Sequence, residues 1–180
     1  MKRKNDRQFS VVMLVFGLLI TSCNNSSEKP ATNSTNTEAI NKKTMENIKL
    51  INFGKQYAAA WCSQKPDSVA AYFSSTGSLS VNANTPAVGR EAIAKVAEGF
   101  MTAFPDMIVS MDSMVTQPDA TEFHWTLTGT NTGPDGTGNK VKISGVEWWQ
   151  FDAAGLILES KGSFDEEEYN RQLGVKKFIE

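Results

Sequence analysis

Histidine is nearly missing from this 180-residue chain, which has only His124, and cysteine is limited to Cys23 and Cys62. A zinc site needs three or four nitrogen, sulfur or carboxylate ligands at short spacings. A metal is therefore not expected, and neither is a cofactor. Basic charge is scarce as well. The formal net charge is -2, and Lys2, Arg3, Lys4 and Arg7 sit against Asp6 in the first 22 residues, so the remainder is near -5. Its Lys and Arg are scattered rather than clustered, whereas nucleic-acid binding calls for a basic stripe. Long apolar runs are absent too. The longest, Val11 to Ile20, has ten residues, and about 20 are needed to span a bilayer.

That short run does have a use. Preceded by the positive Lys2–Arg7 segment and followed by Leu19-Ile20-Thr21-Ser22-Cys23, it reads as a signal peptide over residues 1–22 that ends in a lipobox. Cys23 would carry the lipid, because a thioether can hold a diacylglycerol and two or more acyl chains give stable anchoring. Residues 23–43 are rich in Asn, Ser and Thr, bury nothing, and are expected to be a disordered tether. As a coil of about 20 residues it would span on the order of 25 Å. Asn24 is not an aspartate, so in a two-membrane cell the outer membrane is the expected address. With Cys23 so used, Cys62 stands alone on an apolar helix as a small buried hydrophobe.

The folded domain is expected over residues 44–180. Leu50, Phe53, Tyr57 and Trp61 recur at three- and four-residue steps, which predicts a helix. Pro66 ends it and opens a second, short helix to Phe73. A strand is predicted over Gly77–Asn82. A third helix runs over Arg90–Phe104, with Ile93, Val96, Ala97, Phe100 and Phe104 on one face. Beyond Pro105 the period drops to two, giving strands Met107–Val115, Thr121–Thr130, Val141–Phe151 and Leu156–Ser163 between turn signals. Helices first and antiparallel strands afterwards is an α+β order.

Several strings sharpen this. Val88-Gly89-Arg90-Glu91-Ala92-Ile93 with Phe104-Pro105-Asp106, Trp125 to Pro134, Gly145 to Phe151, Gly155 to Glu159, and Gly162-Ser163-Phe164-Asp165 leading to Gln172-Leu173-Gly174 together resemble the SnoaL-like family of the nuclear-transport-factor-2-like superfamily. The resemblance implies a cone, in which a curved antiparallel sheet wraps three N-terminal helices around a pocket. It also implies a homodimer through the outer face of the sheet. Activities in the family run from polyketide cyclisation and isomerisation to no known chemistry. Two positions depart from its pattern: Asn131 stands where a histidine is common, and Lys161 where an aromatic residue is frequent. The first removes the obvious neutral-pH base.

Strand parity sorts the side chains. Phe123, Trp125, Leu127 and Asn131 share the inward face of their strand, which places His124 outside. Glu147 shares a face with Trp149 and Phe151, while Trp148 takes the opposite one, where an exposed tryptophan suits a dimer interface. Glu159, Lys161 and Asp165 are grouped with Ile157. The family's acid maps onto Asp165, a candidate catalytic proton carrier; the same Asp suits an N-cap ahead of Glu166-Glu167-Glu168. Candidate ligand-binding residues are Asn131 and Glu147 as polar anchors, with Trp61, Tyr72, Phe100, Phe104, Trp125 and Trp149 as core or pocket lining. Three functions fit. The first is a membrane-anchored binding domain for a small apolar, carbonyl- or ring-containing ligand. The second is a cofactor-free isomerase or cyclase using Asp165. The third is a dimeric, non-catalytic interaction module of the cell envelope.

Overall fold

The computed structural model describes residues 34–175; the expected signal peptide, Cys23 and the first part of the tether lie outside them. Helix α1 covers Ser34–Cys62, α2 Pro66–Ala70, α3 Arg90–Ala103 and α4 Glu166–Leu173. The strands are β1 (Phe73–Val81), β2 (Ala87–Val88), β3 (Ile108–Thr116), β4 (Thr121–Thr130), β5 (Lys140–Phe151) and β6 (Ile157–Phe164). They form one sheet in the order β2-β1-β6-β5-β4-β3. Neighbours run antiparallel except β1 and β6, which are parallel. The α+β architecture, with α1, α2 and α3 packed in the N-terminal half against a curved sheet, is as expected; β1 and β2 come before α3, and the parallel pair is an addition. It arises because β1 precedes α3 and the β3–β5 meander, and the chain returns beside it only at β6.

Two element boundaries differ from expectation. Composition predicts disorder as far as residue 43, yet α1 already begins at Ser34. Residues 37–49 are exposed, so tertiary packing does not hold them. Thr44 Oγ1 donates to the Ile40 carbonyl at 2.9 Å, and Lys42 and Glu46 lie one turn apart. Helix extended from an already docked segment needs no new nucleus, which lets a weak former such as this continue. The second difference is that α2 stops at Ala70 and β1 starts at Phe73, with an irregular register between Phe73 and Ser78. Phe73 pairs with Ile157 as a strand residue and buries its ring completely.

The core lies between the helices and the concave face of the sheet. Tyr57, Val69, Phe73, Ile93, Ala97, Phe104, Phe123, Trp149 and Ile157 have no exposed surface. Helix α1 supplies Phe53, Tyr57 and Trp61 at its expected steps, and Tyr57 meets Trp149 edge-on with centroids 5.0 Å apart. Cys62 is half-buried and ties α1 to β3, accepting from the Val109 amide at 3.1 Å.

Candidate functional site

A chamber of about 50 Å3 opens inside the cone. Leu79 and Val81 on β1, Val109 on β3, Phe123, Trp125 and Leu127 on β4, and Gly162 and Phe164 on β6 form its walls; Trp61 from α1 and Phe100 from α3 close it. The remaining lining residue is Glu147 on β5, the only ionisable one. Strand pairing explains why there is space. Glu147 lies opposite Gly162 on one side and Phe123 on the other, and Gly145 lies opposite Trp125. Without a side chain, Gly145 lets the indole of Trp125 lie across the strand.

Glu147 is 6% exposed and deeply hydrogen-bonded. Its Oε2 accepts from Ser160 Oγ at 2.6 Å, Trp149 Nε1 at 2.9 Å and Tyr57 Oη at 3.1 Å. Its Oε1 has only a long contact with the same tyrosine hydroxyl, at 3.5 Å. One carboxylate oxygen is thus saturated, and the other is nearly unused. Burial pushes the carboxyl above its ordinary value, and the bonds from Ser160, Trp149 and Tyr57 oppose that only in part. The Tyr57 hydroxyl is driven well above its ordinary value by burial first and by the Glu147 charge second, so it stays a donor. A further donor is unused: Trp125 lines the chamber, and its Nε1–H is buried with no acceptor among the described residues. Buried polar groups are nearly always paired, so an acceptor brought by a bound molecule would complete the arrangement.

The sequence profile of the SnoaL-like polyketide cyclase family matches residues 52–173. The chain belongs to this family. No curated protein sequence matches it. Among solved structures, this SnoaL-like domain is similar to a Catenulispora acidiphila protein of ketosteroid isomerase-like fold, in complex with trimethylamine, at a TM-score of 0.61 and 14% identity over 69% of this chain and 93% of that one. It is similar to AclR, a putative hydroxylase of Streptomyces galilaeus, with a TM-score of 0.60 and 20% identity over 74% and 90% of the two chains. A putative SnoaL-like polyketide cyclase of Jannaschia gives 0.61 and 14% over 73% and 94%. At such identities the likeness is one of fold.

Within the SnoaL-like domain, the candidates Glu147, Trp61, Phe100 and Trp125 come together in the chamber. Trp149 stands behind it, stacked on Phe123 at 4.7 Å and bonded to Glu147. Four candidates do not reach it. Asp165 is exposed, and its carboxylate accepts the Glu168 amide at 2.9 Å as the N-cap of α4, so of its two candidate roles the structure supports the cap. Asn131 donates to the Ala103 carbonyl and accepts from the Thr137 amide, which pins the β4–β5 loop rather than a ligand. Phe104 is fully buried beneath Gly129 and belongs to the core. Tyr72 packs edge-on against Phe53 and Tyr57 in the aromatic cluster beside the site.

Tyr57, Ser160 and Gly162 also belong to the site, and sequence pattern alone does not single them out; Phe123 lines it on the inward face that strand parity assigns. Tyr57 is legible in principle, because a tyrosine on an apolar helix face needs a buried partner for its hydroxyl. Ser160 is hidden by a bulge. Gln150 pairs with Glu159 but Phe151 pairs with Ile157, so Leu158 is an extra residue and inverts the parity beyond it. Ser160 and Gly162 therefore point inward. Glu159 and Lys161 form an ion pair at 3.0 Å instead of facing the pocket with Ile157. His124 takes the outer face as expected, paired with Glu122 at 2.9 Å.

Proposed function

We propose that the domain binds a small, largely apolar molecule whose oxygen-bearing end enters the chamber beside Glu147. The observation that carries this is a buried carboxylate with one nearly unused oxygen in the wall of an apolar cavity, which Trp125, whose indole N–H has no partner among the described residues, also lines. The cavity of about 50 Å3 is well below the roughly 150 Å3 that holds a benzene ring. The inner end is therefore a carbonyl, hydroxyl or short branch, and any ring lies further out. Native mass spectrometry of the purified protein, incubated with an extract of the producing cells, tests this. A bound mass of a few hundred daltons is expected for the wild type and none for Val81→Phe, whose ring fills the chamber. Absence of adducts from both would end the binding reading. The same spectra report whether copies pair, as we propose they do through the sheet face that carries Trp148, which is 39% exposed.

The second reading is proton transfer, and Glu147 rather than Asp165 carries it. A desolvated carboxylate with a raised pKa is a usable base for a proton beside a carbonyl. The Trp125 N–H supports this by offering a hydrogen bond to a ligand oxygen.

We also propose that Cys23 anchors the protein to the cell envelope, on the strength of the lipobox alone. No helix among the described residues is long and apolar enough to cross a membrane. Growth with an alkynyl fatty acid should label the wild-type protein and leave Cys23→Ala unlabelled and released from the membrane fraction. Equal labelling of both would remove the anchor.

A further inference from the structure

A second cavity, of about 290 Å3, borders the chamber on the outside. The two share Leu79, Val81, Phe100 and Phe164 as walls. Its polar lining comes from two segments distant in sequence: Asn82, Asn84 and Thr85 in the β1–β2 turn, and Glu166, Tyr169 and Asn170 on α4. Few of these groups are used within the protein. Asn82 Oδ1 accepts the Phe164 amide at 3.0 Å, which leaves its amide N–H2 unengaged. The side chains of Asn84, Asn170 and Glu166 and the Tyr169 hydroxyl make no hydrogen bond or ion pair among the described residues. An apolar floor below a ring of idle donors and acceptors is the composition of a ligand site.

Charge then selects the ligand. Neither cavity is lined by a Lys, Arg or His, while each has a carboxylate, Glu147 inside and Glu166 outside. A helix N-terminus would ordinarily favour an anion at this position. On α4 that preference is already met by the Asp165 cap and an acidic first turn of Glu166, Glu167 and Glu168. What remains at the mouth is the Glu166 carboxylate, with no cation in the lining.

We propose that chamber and vestibule act as one two-compartment site for an amphiphilic amine, whose inner end passes the shared wall into the chamber and whose ammonium head is held by Glu166 and the amide oxygens of Asn84 and Asn170. This deepens the small-molecule-binding reading and rests on it. The same charges disfavour anionic ligands such as fatty acids and phosphorylated metabolites.

The test uses three matched probes, hexylamine, hexan-1-ol and hexanoate, titrated into the purified protein at pH 7 and low salt. The indole cross-peak of Trp125 in 1H–15N spectra reports occupancy of the chamber. Hexylamine is expected to bind about tenfold more tightly than hexanoate, with the alcohol between, since a half-open ion pair and its repulsive counterpart each shift affinity several-fold. Glu166→Gln should bring the amine down to the alcohol, and added salt should narrow the series. Because Glu166 is exposed, that variant keeps its fold. Equal affinities for the three probes, or an amine preference that survives Glu166→Gln, would overturn the amine proposal and leave the chamber reading standing. If none of the three moves the Trp125 signal, while the native spectra also show no adduct, both fall together.

Discussion

Glu147→Leu should cost about 3 kcal/mol of stability, whereas Glu147→Gln should cost about 1 kcal/mol at neutral pH. Leucine fits the apolar surroundings but strands three buried donors: Ser160 Oγ, Trp149 Nε1 and Tyr57 Oη. An unpaired buried donor costs about 1–3 kcal/mol. The lower end applies here because both hydroxyls can rotate and a buried carboxylate is removed. Glutamine keeps a carbonyl oxygen for two of the donors. The two variants also separate the carboxyl's charge from its role as an acceptor. The folded-state pKa of Glu147 lies above its ordinary value of 4.5, so its contribution is fully present below that value and is lost as pH rises through the folded pKa. Urea midpoints of the wild type minus those of Glu147→Gln should therefore fall between pH 4.5 and neutrality. A flat difference would mean that the carboxyl is not desolvated. On the proton-transfer reading, Glu147→Gln also lowers turnover by about 10²–10⁴-fold while binding persists. Unchanged turnover would remove Glu147 as the base.

Gly145→Ala is the second large effect, at about 2–3 kcal/mol, or on the order of 10 °C in Tm. A Cβ there would sit 2.4 Å from Trp125 Cζ2 and 2.6 Å from the Ser163 carbonyl oxygen. Relieving the first clash requires the indole to shift from its place in the chamber wall. The second involves backbone of β6, which is held by pairing to β5. The variant should lose ligand binding along with stability, because the displaced indole is a chamber wall. Gly99→Ala is the matched control, since nothing lies within 4 Å of its Cβ. In the interior of α3 it should be neutral or stabilising by about 0.5–1 kcal/mol. Equal melting temperatures for Gly145→Ala and wild type would show that the indole does not pack as described.

Sequence pattern is a sound guide in this chain where one face of an element is strongly apolar. The α1 steps, the β4 parity and the placing of Glu147 beside Trp149 all hold because burying the wrong face would expose several aromatic rings at once. It is weaker where short-range polar chemistry decides. Asp165 and Asn131 are polar residues at strand ends, and nearby backbone amides and carbonyls claim them before any ligand can. An inward Glu159 rests on a parity that a single extra residue, Leu158, reverses. The helical start of α1 is not legible in its own composition, because it depends on continuation from a docked segment.

The place of β6 in the sheet also governs how the chain can fold. Because β6 pairs with β1 on one side and β5 on the other, the last of the six described strands to be synthesised lies between strands made earlier. Until residues 157–164 are available, β1 and β5 each present an unpaired edge, and Glu147 lacks Ser160. Such edges invite pairing between chains, and contacts this distant in sequence form slowly. A nascent or truncated chain is thus both sticky and without its site, and the two defects disappear in the same step.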